Sequence, residues 1–376
     1  MKKIIISIAS LLLTINAFSQ ESLRMLIGTY TENSASEGIY YYEFNLENAD
    51  ARLLHVAKTG NPSFVITNDD CSRAYCVNEF NDGREAVSSF AIEGDSLRFM
   101  GSCLIRSKEV SGADPCNLLY TGEALISSNY SGGSFTSFRL NDDGVADMMS
   151  QYFEYGETLS NLLLGNEISE EAAHMHCAVI SPDGKYIFGT NLGNDCIHRF
   201  ELNEGHNPLG KNSIAWSNKG IFKAGPRHMI FDKNGHRAYM LGELSDELFV
   251  FSYNEGFLTQ IQRLKAYKGR GKGSADIHIS PDGRFLYTSH RLKEDGISIF
   301  SIEPQGGTVR RIGFQRSGIH PRNFAITPDG KYLLCACRDS NRVEIYEIDQ
   351  QTGLLSDTGK VIPVKSPVCV QFLISK

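Results

Sequence analysis

His174-Met-His176 places two imidazoles one residue apart, just ahead of an apolar run and a Pro-Asp-Gly turn. That spacing suits three roles: paired metal nitrogens, a general base with a neighbour, or two polar groups at a sheet edge. Nine of the ten histidines lie between His174 and His320, and the same stretch carries Arg227, Glu243, Arg291 and a basic loop. A metal would need a third ligand from His228 or His278, and strand alternation disfavours three convergent nitrogens. No Gly-x-Ser-x-Gly elbow and no Cys-x-x-Cys pair is present, so neither a serine nucleophile nor a zinc or redox site is indicated. The reading is therefore proton-transfer chemistry with no metal and no cofactor.

A repeat positions these groups. One phrase recurs: a Pro or His start, a short apolar strand, an Asp/Asn-Gly-like turn, then a strand rich in Tyr, Leu and Val. It begins at Asn61, Asp114, His174, Gly225, Ala275 and His320, and each copy is followed by further strands such as "ELFVFSY" and "RVEIYEI". Four short antiparallel strands per repeat, with no long amphipathic helix, is a propeller-blade pattern. The C-terminal "SPVCVQFLISK" starts like a seventh copy and stops, whereas "LRMLIGTYTENSASEGIYYYEFNL" starts at a second strand. The expected fold is all-β, a single seven-bladed β-propeller whose first blade is closed by the N- and C-terminal strands, which removes open edges.

In such a blade the start of the first strand and the end of the second share one face of the disc. Counting outward from each turn places His176 opposite Asn191, Arg227 beside Gly242 and Glu243, Asp276 near Ser289 to Arg291, and Arg322 near Cys337 to Asp339. Glu79, Asn129 and Tyr130 fall at the same level as walls around a substrate. His228, adjacent to Arg227, should face away and pack as a hydrogen-bonded histidine. Segment 154–173 is a long insertion that reads as a lid or rim. Segment 265–274, with Lys265, Lys268, Arg270 and Lys272, reads as a solvated loop, or else as a seat for a phosphate or carboxylate.

The chain has 376 residues, 41% hydrophobic and 22% charged, with a net charge of −7. That balance gives no general grip on nucleic acid or anionic lipid. Residues 1–19 read as a secretory signal peptide, with Lys2 and Lys3 ahead of a short apolar run. No cysteine follows the run closely, so residues 20–376 are expected to be one exported domain, periplasmic or extracellular, free of the membrane after cleavage, and monomeric. Nine cysteines in a chain with a good core read as buried strand residues and not as a disulfide framework.

These phrases, taken in order, resemble the seven-bladed propeller lactonase family, which includes propeller-type 6-phosphogluconolactonases and fungal carboxy-muconate lactonising enzymes. The residues carrying the resemblance are "IGTYT", "GNPSFV" with "VNE", "GADPCNLL" with "NYSGGS", "HMH", "SPDGKYIF" with "NLGND", "GPRHMIF" with "GEL", "IHISPDGRFLYTSHR" and "PRNFAITPDGKYLL". The resemblance implies hydrolysis of a sugar lactone, 6-phospho-D-glucono-1,5-lactone or a related aldonolactone. It implies a catalytic set of His174 or His176, Arg227, Glu243 and Arg291. Around that set, the expected substrate contacts are Glu79, Asn129, Tyr130, Asn191, Asp276, Arg322 and Asp339. The sequence departs from the family at the insertion before His174, and an exported location fits poorly with a phosphorylated intracellular intermediate.

Opening a lactone with water needs a base for the water, cationic donors for the oxyanion, and an acid for the leaving alcohol. A neutral histidine suits the first, Arg227 and Arg291 the second, and Glu243 could orient the histidine or act as base. Two other functions use the same mouth: a non-enzymatic propeller binding a ligand or protein, and a muconate-type lactonising cycloisomerase.

Overall fold

The computed structural model describes residues 22–106, 112–155, 172–219, 222–269 and 271–375. The leader 1–19, most of the 154–173 insertion and Arg270 lie outside them. The described residues form seven four-stranded antiparallel sheets. The first strands of the sheets contact one another in a closed ring, each packed against its two neighbours, so they line the axis. Blade 1 is built from both chain ends: Pro367–Phe372 is its innermost strand and pairs antiparallel with Ser22–Thr29, followed by Gly38–Asn45 and Ala51–Lys58. Blades 2 to 7 then follow in chain order.

The apolar core is divided into seven wedges, each between two adjacent blades. Phe188, Met240 and Phe249 share one between blades 4 and 5, and Phe44, Leu334 and Phe372 share one between blades 7 and 1. This division leaves the axis free for polar groups.

The Ser/Thr-Pro-Asp-Gly turns join the first and second strands. Ser181 Oγ bonds Asp183 and accepts Tyr186 N, and Ser280 and Thr327 repeat the arrangement. Gly184, Gly235, Gly283 and Gly330 all have φ between 68° and 77°. At Gly184 and Gly283 an added Cβ would meet nothing, so the backbone angle selects glycine there.

One feature was invisible to simple counting. The innermost strands skip one residue in register at the same place: Cys116, His176, Arg227 and Arg322 each have no partner opposite, and the skip in blade 6 takes in Ala275 and Asp276. A bulge of this kind re-aims the side chain it carries. In blades 3, 4, 5 and 7 it sets one residue, Cys116, His176, Arg227 and Arg322, off the ladder.

Candidate active site

Arg227 and Glu243 meet first. Arg227, 1% exposed, donates from Nε to Glu243 Oε2 at 2.9 Å and from Nη1 to Ala275 O. Arg291, from the end of blade 6's second strand, donates from Nη2 to Glu243 Oε1 at 2.8 Å and from Nε to Gly273 O at 3.0 Å. Its Nη1 lies 3.3 Å from His320 Nε2. Both oxygens of Glu243 are thus held, each by a different arginine.

The loops that carry these groups are pinned by two carboxylates, buried Asp246 and half-buried Asp195. Asp246 accepts from Lys272 N, Gly273 N and Ser274 Oγ, which fixes the carbonyl that orients Arg291. A Cβ on Gly273 would come 2.6 Å from Arg291 O. Asp195 does the same ahead of Arg227, accepting from Ala224 N at 3.0 Å and Gly225 N at 2.8 Å. The described part of the basic 265–274 loop is therefore tied down: Lys265 Nζ donates to Ser245 O at 2.7 Å.

Arg322 stands apart from that pair. Its guanidinium lies over the Tyr30 ring, 5.5 Å from the centroid, and 3.8 Å from Glu79 Oε1. No hydrogen bond engages its donors among the described residues. The Tyr30 hydroxyl donates to Glu79 Oε1 at 2.8 Å, while Glu79 Oε2 is buried with no hydrogen-bond partner among the described residues.

The two histidines separate. His176 is 4% exposed, with its ring edge-on to Tyr130 and to His228 and its Nδ1 3.8 Å from Cys116 Sγ. His174 lies outside the strand, stacked on the face of Tyr130 at 4.4 Å, with Nδ1 2.9 Å from Tyr130 O. The alternation that aims both rings the same way fails because the bulge intervenes.

The electrostatics follow from burial and from three guanidiniums around one carboxylate. Burial pushes the Glu243 carboxyl up, but Arg291, Arg227 and Arg322 more than offset it and hold it below the usual carboxylate range. Burial lowers Arg291 to about 9, against the pull of Glu243. Burial also opposes the charge on Arg322, yet Tyr30, Glu79 and the other acidic groups around it raise its pKa. Burial, with Arg227, His228 and Arg322, holds His176 well below 6.5, so its imidazole is neutral near pH 7.

Other expected contacts are placed elsewhere. Asn129 is fully buried inside blade 3, bonded to Ser127, Ser134 and Thr136, and does not reach the mouth. Asn191 pairs with Met175, not His176, because of the bulge, and its amide holds His174 N and Asn194. Asp276 is buried with both oxygens engaged by His228, His278 and Asn323. Asp339 pairs with Arg338 and faces His320 at 3.5 Å. Tyr130 and Glu79 do sit with the arginines. His228 is hydrogen-bonded as expected, to Asp276 at 2.6 Å, but it does not face away from the axis, since it meets Phe64 of blade 2 across the disc.

Sequence reasoning passed over Tyr30 and His320. Both had a signal: Tyr30 closes the phrase "IGTY" at a second-strand end, and His320 begins the blade 7 phrase as His174 begins that of blade 4.

Fold and site together define a seven-bladed propeller with an arginine-rich polar mouth on one face of its axis. The chain belongs to the family of seven-bladed β-propeller lactonases, whose model matches residues 24–372. It is 32% identical to a 6-phosphogluconolactonase of Formosa agariphila, over 92% of this chain and 98% of that protein. Among solved structures, a candidate 6-phosphogluconolactonase from Bacteroides uniformis is 43% identical, with a TM-score of 0.85, covering 94% of this chain and 100% of that one. A periplasmic gluconolactonase of Pseudomonas aeruginosa is 27% identical, with a TM-score of 0.83 and the same coverage.

Proposed function

We propose that this protein hydrolyses a sugar lactone, either 6-phospho-D-glucono-1,5-lactone or a related aldonolactone, without metal or cofactor. The observation that carries this reading is the Arg227–Glu243–Arg291 arrangement facing Arg322, whose N–H donors make no hydrogen bond among the described residues. Neutral His176 takes a proton from water as the water oxygen bonds to the lactone carbonyl carbon. Negative charge moves onto the carbonyl oxygen, where Arg322 donates hydrogen bonds and Arg227 and Arg291 add positive potential. The tetrahedral species collapses, the ring C–O bond breaks, and the imidazolium returns its proton to the leaving alkoxide. Glu243 holds its two arginines in place, and with both oxygens engaged it is a poor base.

Residues 1–19 act in this reading as an export signal, the mature chain works as a monomer, and the location parallels that of the Pseudomonas gluconolactonase. The test is hydrolysis of freshly prepared glucono-δ-lactone and its 6-phosphate, with spontaneous opening subtracted. A saturable rate above background that survives a strong chelator is expected. Background rates with both lactones would sink the proposal.

A further inference from the structure

The mouth continues sideways into a cleft of about 510 Å³ between blades 1, 2, 3 and 7. That volume suits a small ligand. Its walls include Tyr30 and Glu79, so it opens directly onto the network that holds Arg322. Glu32, Asp82, Asp114 and Arg338 also line it.

We propose that this cleft is the subsite for the hydroxylated end of the lactone, and that it selects an uncharged sugar lactone over a phosphorylated one. The inference rests on the lactonase reading and narrows its substrate class.

Two observations carry it. The first is Glu79, whose side chain borders the cleft and whose Oε2 has no hydrogen-bond donor among the described residues. Leaving such an acceptor empty is costly, and a sugar hydroxyl supplies the donor it lacks. A phosphate dianion has no donor to offer it.

The second is the sign of the charge. Glu32, Glu79, Asp82 and Asp114 line the cleft against a single cation, Arg338, itself paired with Asp339. Arg84, which bonds Glu32 and Asp82, adds one more positive charge nearby. The balance stays negative, so a phosphate seated there would be repelled while a hydroxymethyl group would not. The neighbouring mouth is the opposite, with three arginines against Glu243 and Glu79. A lactone is thereby oriented, carbonyl toward the arginines and hydroxyls toward the carboxylates.

The test compares kcat/KM on glucono-δ-lactone and on its 6-phosphate, alongside calorimetric binding of gluconate and 6-phosphogluconate. The unphosphorylated lactone should be favoured at least tenfold, and gluconate should bind more tightly. The double substitution Glu32→Gln with Asp82→Asn should narrow the kinetic ratio at least threefold by improving the phosphorylated lactone. A preference for the phosphorylated lactone, or a ratio unmoved by the double substitution, overturns the subsite. If neither lactone is hydrolysed, the lactonase reading fails instead, and the binding order of the two acids still decides the subsite.

Discussion

Glu243 receives Arg227 Nε on one carboxylate oxygen at 2.9 Å and Arg291 Nη2 on the other at 2.8 Å, so one anion fixes two guanidiniums from adjacent blades. Its removal leaves both cations without their shared counter-charge in a desolvated mouth that also holds Arg322. Breaking a buried pair in this way typically costs about 3 kcal/mol or more. Glu243→Gln should therefore lower the thermal midpoint clearly and reduce kcat/KM by about a hundredfold, a loss of about 2.7 kcal/mol in transition-state stabilisation. A variant with native melting and native rates would show that this carboxylate does not organise the site.

The two histidines predict different kinetics. His176 is buried against Tyr130 and His228 and feels Arg227 and Arg322, whereas His174 lies at the rim on the Tyr130 face. Loss of a general base costs about 10²- to 10⁴-fold. His176→Asn should lose kcat on that scale with little change in melting. His174→Ala should stay within about tenfold and act mainly on KM, since it touches only the wall beside the substrate. The reverse ranking would transfer the base role to His174.

Activity should also have an unusual pH window. A base is silenced only below its own pKa, and burial with the nearby cations holds that of His176 well below 6.5. The acid limb of kcat/KM should therefore show no break near 6.5 and stay flat below it. On the other side, burial disfavours the charge on Arg291, but the ion-paired guanidinium stays protonated and keeps its hold on Glu243. Profiles taken at 20 °C with spontaneous hydrolysis subtracted at every pH decide the matter, and a clear break near 6.5 would remove His176 as the base.

The sequence made the blade repeat, its closure and the arginine positions legible because each rests on local chemistry: Asp-Gly turns need positive φ, and strands alternate. What it concealed was the single-residue bulge in the innermost strands. Counting across it moved Asn191 opposite His176 when its partner is Met175, and sent His228 to the wrong side of Arg227. Asn129 and Asp276 were misread for a different reason. Both are polar residues at the right height, but neighbouring donors and acceptors absorb their side chains, and that is a tertiary fact. Glu79 was placed correctly, while its partner Tyr30 comes from a blade completed only when the two chain ends meet.

The axis should make the fold sensitive to acid. Asp276 joins blades 5, 6 and 7, accepting from His228 Nδ1 at 2.6 Å, His278 Nε2 at 3.0 Å, Asn323 Nδ2 at 2.6 Å and Phe324 N at 3.2 Å. Burial raises its pKa, but His278, His228 and these bonds more than offset that and hold it well below 3.8. A carboxylate of depressed pKa stabilises fully above the unfolded value of about 3.9 and loses that contribution as pH falls toward the folded one. The buried histidines act earlier. Burial, aided by Arg227 and opposed by Asp276, lowers His228 to about 4, and burial takes His198, His290 and His320 to about 3. Each stays neutral in the fold while the unfolded chain binds a proton below about 6.5, so each removes about 1.4 kcal/mol per pH unit as pH drops from there toward its folded pKa. Unfolding by urea should accordingly give a midpoint that is flat from pH 8 to 7 and falls steeply between 6.5 and 4. Asp276→Asn should lower the midpoint at pH 7.5, by about 3 kcal/mol in stability. A midpoint independent of pH across that range would mean that these buried imidazoles are not held neutral in the fold, and the same result would undercut His176 as a base available below pH 6.5.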